Sequence, residues 1–355
     1  MSDGHRILIF HTAFAGDLVL TLPVAQSIRA AWPAAFIAAV AIPAAAPVLR
    51  GHPSIDEIIV YDKKGRDRGI GGFLRVVRAM KALRPDIAVV PHRSLRSALA
   101  VWCARIPRRI GFSTSAGRMF LSEAVADDRG VHETRRNLAL LSPLGIPVEG
   151  GVRPRLFPSA DDARAVDRLI AVHETRAPGF GQRAMVALAP GSVWFTKRWP
   201  EPSFAYVAGA LAQEGVGVVL VGGPEDEMLC GEIARACVQG IPVLNAAGKL
   251  SLLQSAELMR RCRVTVTNDS APLHLAGAVG TPVIALFGAT VPAFGFGPLG
   301  HHDRVLEVHG LRCRPCAIHG GHRCPIETFV CMRDLLPSSV LDAVREFLSQ
   351  DHREV

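Results

Sequence analysis

The run Val264-Thr265-Val266-Thr267-Asn268-Asp269-Ser270-Ala271-Pro272-Leu273-His274 carries the decisive pattern of this chain. A β-branched strand stops abruptly at small polar residues, and the apolar segment that follows reads as a helix. Proline suits a first helical turn, because its missing N–H would have no partner there. The backbone amides of Ser270 and Ala271 are then expected to face outward at a positive helix end, ready for an anion such as a diphosphate. Asp269 stands beside them at the carboxyl end of a strand, the edge at which open α/β sheets take ligands. The competing reading is that Asp269 and Ser270 only cap the helix.

The same alternation of strand and helix extends in both directions. Strand patterns fall at 7–10, 36–40, 58–61 and 86–90, with helical spacing over 18–31, 73–83 and 137–144 and loop-like composition over 111–121. After a helix at 164–175 and a Pro/Gly-rich break at 177–182, a second series runs through strands at 184–188, 216–221, 243–245, 264–267 and 283–287. Alternation of this kind implies parallel sheets with right-handed crossovers. The expected fold is α/β, with two Rossmann-like halves facing across a cleft. The first spans 1–175 and the second 176–337, with a last helix in 338–355.

At 355 residues the chain has ample core for two domains, and its 49% hydrophobic and 20% charged residues are ordinary for a globular protein. No apolar run is long enough to span a bilayer, and the short apolar stretch after Arg6 is too brief for a signal peptide. A cytoplasmic location is therefore expected. The net charge of +8, much of it arginine in the first half, favours anionic partners. Aromatic residues make up only 6% and the basic residues match no reader motif, which argues against nucleic acid. No G-x-G-x-x-G follows the first strand, which argues against a nicotinamide dehydrogenase.

Five motifs occur in order: Gly16-Asp-Leu-Val-Leu-Thr-Leu-Pro23, Ala189-Pro-Gly-Ser192 with Lys197-Arg-Trp-Pro200, Gly222-Gly-Pro-Glu225, and Asn268 to His274. Together they resemble family 9 glycosyltransferases, the bacterial heptosyltransferases of the lipopolysaccharide inner core, and are most similar to the second heptosyltransferases. The resemblance implies a GT-B fold whose last helix, in 338–355, packs back on the N-terminal domain. It also implies an ADP-heptose donor, an anionic lipid A–core acceptor met at the inner-membrane surface, and inverting transfer without a required cofactor. The alternatives are a GT-B transferase with another nucleotide sugar or acceptor, and a non-catalytic binder of nucleotide sugar or glycolipid.

By resemblance, Asp17 is the expected catalytic base, with the N-cap of helix 18–31 as the competing reading. Lys197 is the expected countercharge for the leaving diphosphate, since stabilising charge where it develops dominates such catalysis. Ser192, Ser270 and Ala271 are expected to cradle phosphate. Asp269 is expected on donor sugar hydroxyls, and His274 on a phosphate or the loop, with a satisfied core histidine as the competing reading. One carboxylate of Glu225, Asp226 and Glu227, with Glu227 favoured, is expected on the ribose, and an acidic first helical turn that complements the dipole is the alternative. Lys63, Lys64, Arg66 and Arg68 form the densest basic cluster, in a Gly-flanked segment read as a mobile loop that grips the acceptor or lies on anionic lipid. An inert solvated loop is the alternative.

Cys313, Cys316, Cys324 and Cys331 are spaced C-x2-C-x7-C-x6-C. Four such thiols can wrap a structural zinc or an iron–sulfur cluster, with reduced thiols lacking metal as the alternative. Transfer does not require them.

Overall fold

The computed structural model describes residues 4–147, 151–237 and 243–349. The chain divides into two compact units, Met1–Phe157 and Pro158–Val355. The first unit runs β1 (Arg6–Phe10), α1 (Ala15–Val19), α2 (Leu22–Ala31), β2 (Phe36–Ala41), β3 (Glu57–Val60), α3 (Gly69–Ala82), β4 (Ile87–Val90), α4 (Leu95–Cys103), β5 (Arg108–Phe112), β6 (Glu123–Val125) and α5 (Glu133–Ala139). Its six parallel strands are ordered β3-β2-β1-β4-β5-β6. Chain direction across the sheet therefore reverses between β1 and β4, which pair in parallel.

Alternation along β1 sorts the core. Leu8 and Phe10 pack with Val76, Met80, Ala98 and Val101 of α3 and α4. Ile7 and Ile9 pack on the opposite face with Val24, Ile28 and Leu138 of α2 and α5. Both faces are covered, as an all-parallel sheet requires.

The second unit runs α6 (Ala160–Glu174), β7 (Met185–Ala189), α7 (Glu201–Gln213), β8 (Gly217–Leu220), α8 (Glu227–Ala236), β9 (Leu244–Asn245), α9 (Leu252–Arg260), β10 (Val264–Asn268), α10 (Ala271–Ala278), β11 (Val283–Phe287), β12 (Arg304–Glu307), α11 (Val330–Arg333) and α12 (Pro337–Ser349). Its sheet order is β12-β11-β10-β7-β8-β9, with all pairs parallel and the switch point between β7 and β10. No helix among the described residues is long and apolar enough to cross a membrane.

Three expectations are corrected. The helix expected at 18–31 is two helices meeting at Leu20–Thr21. Pro23 causes the break, because a continuous helix would need its absent N–H and would drive its ring into the turn before it.

The domain boundary falls at Phe157/Pro158 rather than 175/176. The Pro/Gly-rich segment is a turn folded back on α6, with Gly181 N–H donating to Glu174 Oε1 at 2.9 Å and Phe180 fully buried beside His173. α6 itself belongs to the second unit, where Arg261 of the α9 end donates to the Ala163 carbonyl at 3.1 Å and to Asp167 at 2.5 Å.

The last helix, expected against the N-terminal half, is built into the second unit. Val340, Leu341, Val344 and Phe347 of α12 share one core cluster with Trp199 and Phe204. Residues 350–355 of that expected segment lie outside the described residues.

Candidate functional site

Polar side chains of the second unit gather at the carboxyl ends of β7 and β10, beside its switch point. β10 ends in Asn268, whose fully buried amide ties three segments together. Its Oδ1 accepts from Trp199 N–H at 3.0 Å, and its Nδ2 donates to the Pro190 carbonyl at 2.7 Å. The loop after β7 is thereby fixed to the loop after β10 and to the turn bearing Lys197. Trp199 is anchored again by its indole N–H, which donates to the Leu335 carbonyl at 3.0 Å.

On this frame Lys197 Nζ meets Asp269 Oδ2 at 2.7 Å, and the Thr290 hydroxyl donates to the same oxygen at 2.6 Å. The Lys197 and Asp269 side chains are 12% and 7% exposed, so the pair lies in a largely desolvated setting where charges act strongly. Asp269 does not cap α10. Ser270 occupies the N-cap position but its side chain makes no cap hydrogen bond, and Pro272 lies in the first turn. The amides at Ser270 and Ala271 are thus not satisfied by a local side-chain cap, which is the arrangement an anion-accepting helix end needs.

Ser192 is buried at the end of the β7 loop, where its carbonyl accepts from Arg198 Nε at 2.7 Å. His274 is buried on α10. Lys197, Asp269, Ser270, Ala271 and Ser192 are therefore brought together by one sheet edge.

Glu227 stands one strand further out, at the first position of α8, exposed and lying over Gly248. A Cβ on Gly248 would sit 1.9 Å from its Oε1, and the glycine has φ +71, so only glycine fits. Asp226, of the same acidic run, is the more deeply set of the two. It accepts from Gly223 N–H at 3.1 Å and packs so closely that a Cβ on Gly191 would meet its Oδ1 at 2.3 Å. Burial raises the Asp226 pKa, opposed by the Gly223 hydrogen bond and reinforced by Glu225.

The first unit carries a second polar cluster at its own switch point. Asp17 lies in the first turn of α1, three residues after the N-cap Phe14, so it is not the capping residue. The Asp17 carbonyl accepts from Thr21 Oγ1 at 3.0 Å, and Thr21 Oγ1 lies 3.3 Å from the buried His11 Nδ1. Thr12, after β1, is 3.1 Å from His92 Nδ1, after β4. Lys63 reaches in and donates to the Thr12 carbonyl at 2.7 Å.

Burial pushes the His11 pKa down to about 3, with further lowering from His92, Arg93 and Lys63; His92 falls to about 4 by burial and the Lys63 and Arg93 charges. Both imidazoles are neutral at ordinary pH. Burial also lowers the Lys63 pKa, helped by Arg96 and Lys64. Lys64, Arg66 and Arg68 stay exposed and do not join this cluster. Their segment is a turn rather than an open loop: Asp62 accepts from Gly65 and Arg66 N–H at 2.9 Å each, and Asp67 accepts from Asp62 N–H at 2.9 Å.

The four-thiol metal site is not assembled. Among the described residues no group of three or more His, Cys, Asp or Glu is placed to hold an ion, and all four cysteines are free thiols. Cys331 is buried in the core with Trp199, Cys316 donates to the Cys313 carbonyl at 3.2 Å, and Cys324 Sγ accepts from Phe329 N–H at 3.4 Å. The segment has another evident use. Thr196 N–H donates to the Gly321 carbonyl at 3.0 Å and Gly321 N–H to Thr196 Oγ1 at 2.7 Å, so it buttresses the turn that presents Lys197.

Asn268, Thr290 and Thr196 were missed as site residues. Asn268 is the one with a sequence signal, an amide side chain at the end of a β-branched buried strand, where a hydrogen-bonding duty is required.

Residues 73–321 match the profile of Glycosyltransferase family 9 (heptosyltransferase). The chain is 28% identical to lipopolysaccharide heptosyltransferase 2 of Salmonella typhimurium, over 98% of this chain and 99% of that protein. It is similar to the glycosyl transferase family 9 crystal structure from Veillonella parvula, with TM-score 0.85 and 26% identity over 98% and 99% of the two chains. The structure of Escherichia coli ADP-heptose lps heptosyltransferase II is similar at TM-score 0.78 and 26% identity, over 97% and 99%.

Proposed function

The chain belongs to glycosyltransferase family 9, and on that premise we propose that it moves L-glycero-D-manno-heptose from ADP-heptose to the lipopolysaccharide inner core. The observation that carries the donor half is the Lys197–Asp269 pair at 2.7 Å, beside the helix end at Ser270 and Ala271. Lys197 and those amides take the departing diphosphate, with Ser192 and His274 beside it, and Asp269 and Glu227 bind donor hydroxyls.

The acceptor hydroxyl oxygen forms a bond to the anomeric carbon as the bond from that carbon to the diphosphate oxygen breaks. Attack opposite the leaving group inverts the anomeric centre. The hydroxyl proton passes to the Asp17 carboxylate, which needs to act only as the proton becomes acidic in the transition state. ADP leaves carrying the negative charge that Lys197 balances. No step draws on a metal or cofactor. Lys63, with Lys64, Arg66 and Arg68, supplies positive charge for an acceptor bearing carboxylates and phosphates. The acceptor is a glycolipid, so the reaction belongs at the cytoplasmic face of the inner membrane, with the enzyme peripheral.

The test is calorimetric titration with ADP, GDP and UDP, followed by an ADP-release assay with ADP-heptose and a heptose-deficient core acceptor. ADP-selective binding and acceptor-dependent release are expected. Asp17→Asn should lower turnover by about 10²-fold or more while ADP affinity stays within a factor of two or so. Retained turnover would remove Asp17 from the reaction, and equal affinity for all three nucleotides would sink the ADP-sugar reading.

A further inference from the structure

We propose that an apolar face on α3 and α4 of the first unit docks on an anionic lipid bilayer. The two helices leave an open groove of about 480 Å³, lined by Gly69, Ile70, Phe73, Leu95, Arg96 and Leu99. Leu95, Leu99 and Trp102 recur at helical spacing along α4, and Ile70, Phe73 and Leu74 do so at the start of α3, so each helix turns one apolar stripe outward. Ile70 is 80% exposed, Leu95 and Trp102 are each 50% exposed, and Met119, in the turn that follows β5, is 80% exposed. Side chains of this size seldom stand together in water without a partner.

The charge around the face selects the partner. Residues 63–119 hold fourteen Lys and Arg against two Asp, +12, which exceeds the +8 of the whole chain. Arg93 and Arg108 are paired with Asp127, Glu133 and Glu123 from outside this run, so the surplus charge rests on the remaining basic residues, several of them exposed beside the apolar face. Both acidic residues are engaged: Asp67 pairs with Arg75, and Asp86 accepts from Arg6 N–H at 3.0 Å. Arg96 lines the groove itself, its guanidinium 5.2 Å above the Tyr61 ring and 5.8 Å above Phe73. Arg66, Arg68, Arg78 and Arg118 are exposed close to the stripe in sequence.

Apolar side chains ringed by arginine fit the boundary of an anionic bilayer, where acyl chains accept the former and headgroup phosphates the latter. A second copy of this chain or an acidic protein matches the face less well. The former would set this positive surface against itself, and the latter offers no reservoir of apolar chains. The proposal rests on the transferase reading only for its setting, because a glycolipid acceptor brings the enzyme to a membrane.

The experiment is flotation of the full chain with extruded vesicles of phosphatidylethanolamine and phosphatidylglycerol, beside vesicles of phosphatidylcholine. The variant pair is Ile70→Asp with Leu95→Asp. Both positions are exposed and lie in the first turn of a helix, where an aspartate is tolerated, so the fold should survive. Wild type should bind the anionic vesicles and not phosphatidylcholine, and should be released at about 0.5 M salt. The double variant should lose at least about tenfold in partitioning, since two anchors are gone and two negative charges repel the surface. Its ADP release with a short water-soluble acceptor should match wild type, because neither residue belongs to the transfer site.

Equal vesicle binding by wild type and variant overturns the proposal, as does absence of vesicle binding by wild type. A concentration-dependent dimer abolished by the same substitutions would assign the face to a second copy and also overturn it. Failure of ADP release in wild type with vesicle binding intact would instead strike the transferase reading.

Discussion

Replacing Asn268 by Ala tests the idea that one buried amide assembles the donor loops. The substitution strands the Trp199 N–H, now 3.0 Å from its acceptor, and the Pro190 carbonyl, 2.7 Å from its donor, at a site with no solvent access. Leaving one buried polar group unpaired costs about 1–3 kcal/mol, so stranding two should cost the second unit about 2–6 kcal/mol of stability.

Asn268→Asp sharpens the test. It keeps an oxygen for Trp199 but sets a carboxylate against the Pro190 carbonyl oxygen, so only the protonated form restores the lost donor. Its folded carboxyl pKa should be raised, and the variant should therefore recover stability as pH falls. Urea unfolding followed by fluorescence in a Trp32→Phe, Trp102→Phe background reports Trp194 and Trp199, both in the second unit. ADP affinity should fall in parallel, because the turn carrying Lys197 loses its tether. A loss under about 1 kcal/mol with unchanged ADP affinity would refute the tether argument.

Lys197→Ala should destabilise the second unit by about 3 kcal/mol by stranding Asp269, whereas Lys197→Ala with Asp269→Asn should cost much less; strictly additive losses in a double-mutant cycle would deny the pairing. His11 binds a proton near 6.5 when unfolded but only near 3 when folded, so stability is full above pH 6.5 and is lost as pH falls toward 3. That loss is on the order of 3–5 kcal/mol, and His11→Gln should flatten it; parallel stability curves for the two proteins would contradict the assignment. The Cys324 thiol is held below its usual pKa: burial opposes this, but the N–H groups of Phe329, Ile326, Thr328 and Glu327 prevail. Burial instead drives Cys331 up to about 11 and Cys262 to about 12. Cys324→Ser should accordingly remove the fastest phase of thiol labelling at neutral pH, and persistence of that phase would point elsewhere.

The legible parts of the fold were those written in continuous apolar runs. Strands buried on both faces, such as β7, β10 and β11, announce themselves, as do helices with one apolar stripe. The edge strands β6 and β12 and the arginine-rich β5 did not. Their charges pair with partners outside their own strand: Arg108 of β5 donates to both carboxylate oxygens of Glu123 on β6, at 2.9 and 3.0 Å, and Glu307 of β12 pairs with Arg314 at 2.8 Å. A one-dimensional pattern cannot show that pairing.

At the site, local chemistry was readable and long-range contact was not. The turn at Asp269 follows from a strand meeting small polar residues, while its ion pair with Lys197 spans 72 positions. Thiol spacing invited a metal cage, yet Cys331 is claimed by the apolar core and Cys324 by a backbone turn. The break at Pro23 was written in the sequence and overridden in reading by the longer apolar rhythm around it.

The Trp199–Leu335 bond has a consequence for the order in which the protein becomes competent during synthesis. Its donor and acceptor lie 136 residues apart, and α12 closes the same cluster that buries Trp199. A growing chain that has reached Thr290 already contains Ser192, Lys197, Asp269 and His274. It still lacks the carbonyl that fixes the indole and the helix that seals it from water. Contacts of such sequence separation form late. The donor half should therefore acquire nucleotide affinity in one step, once α12 has been made and has docked.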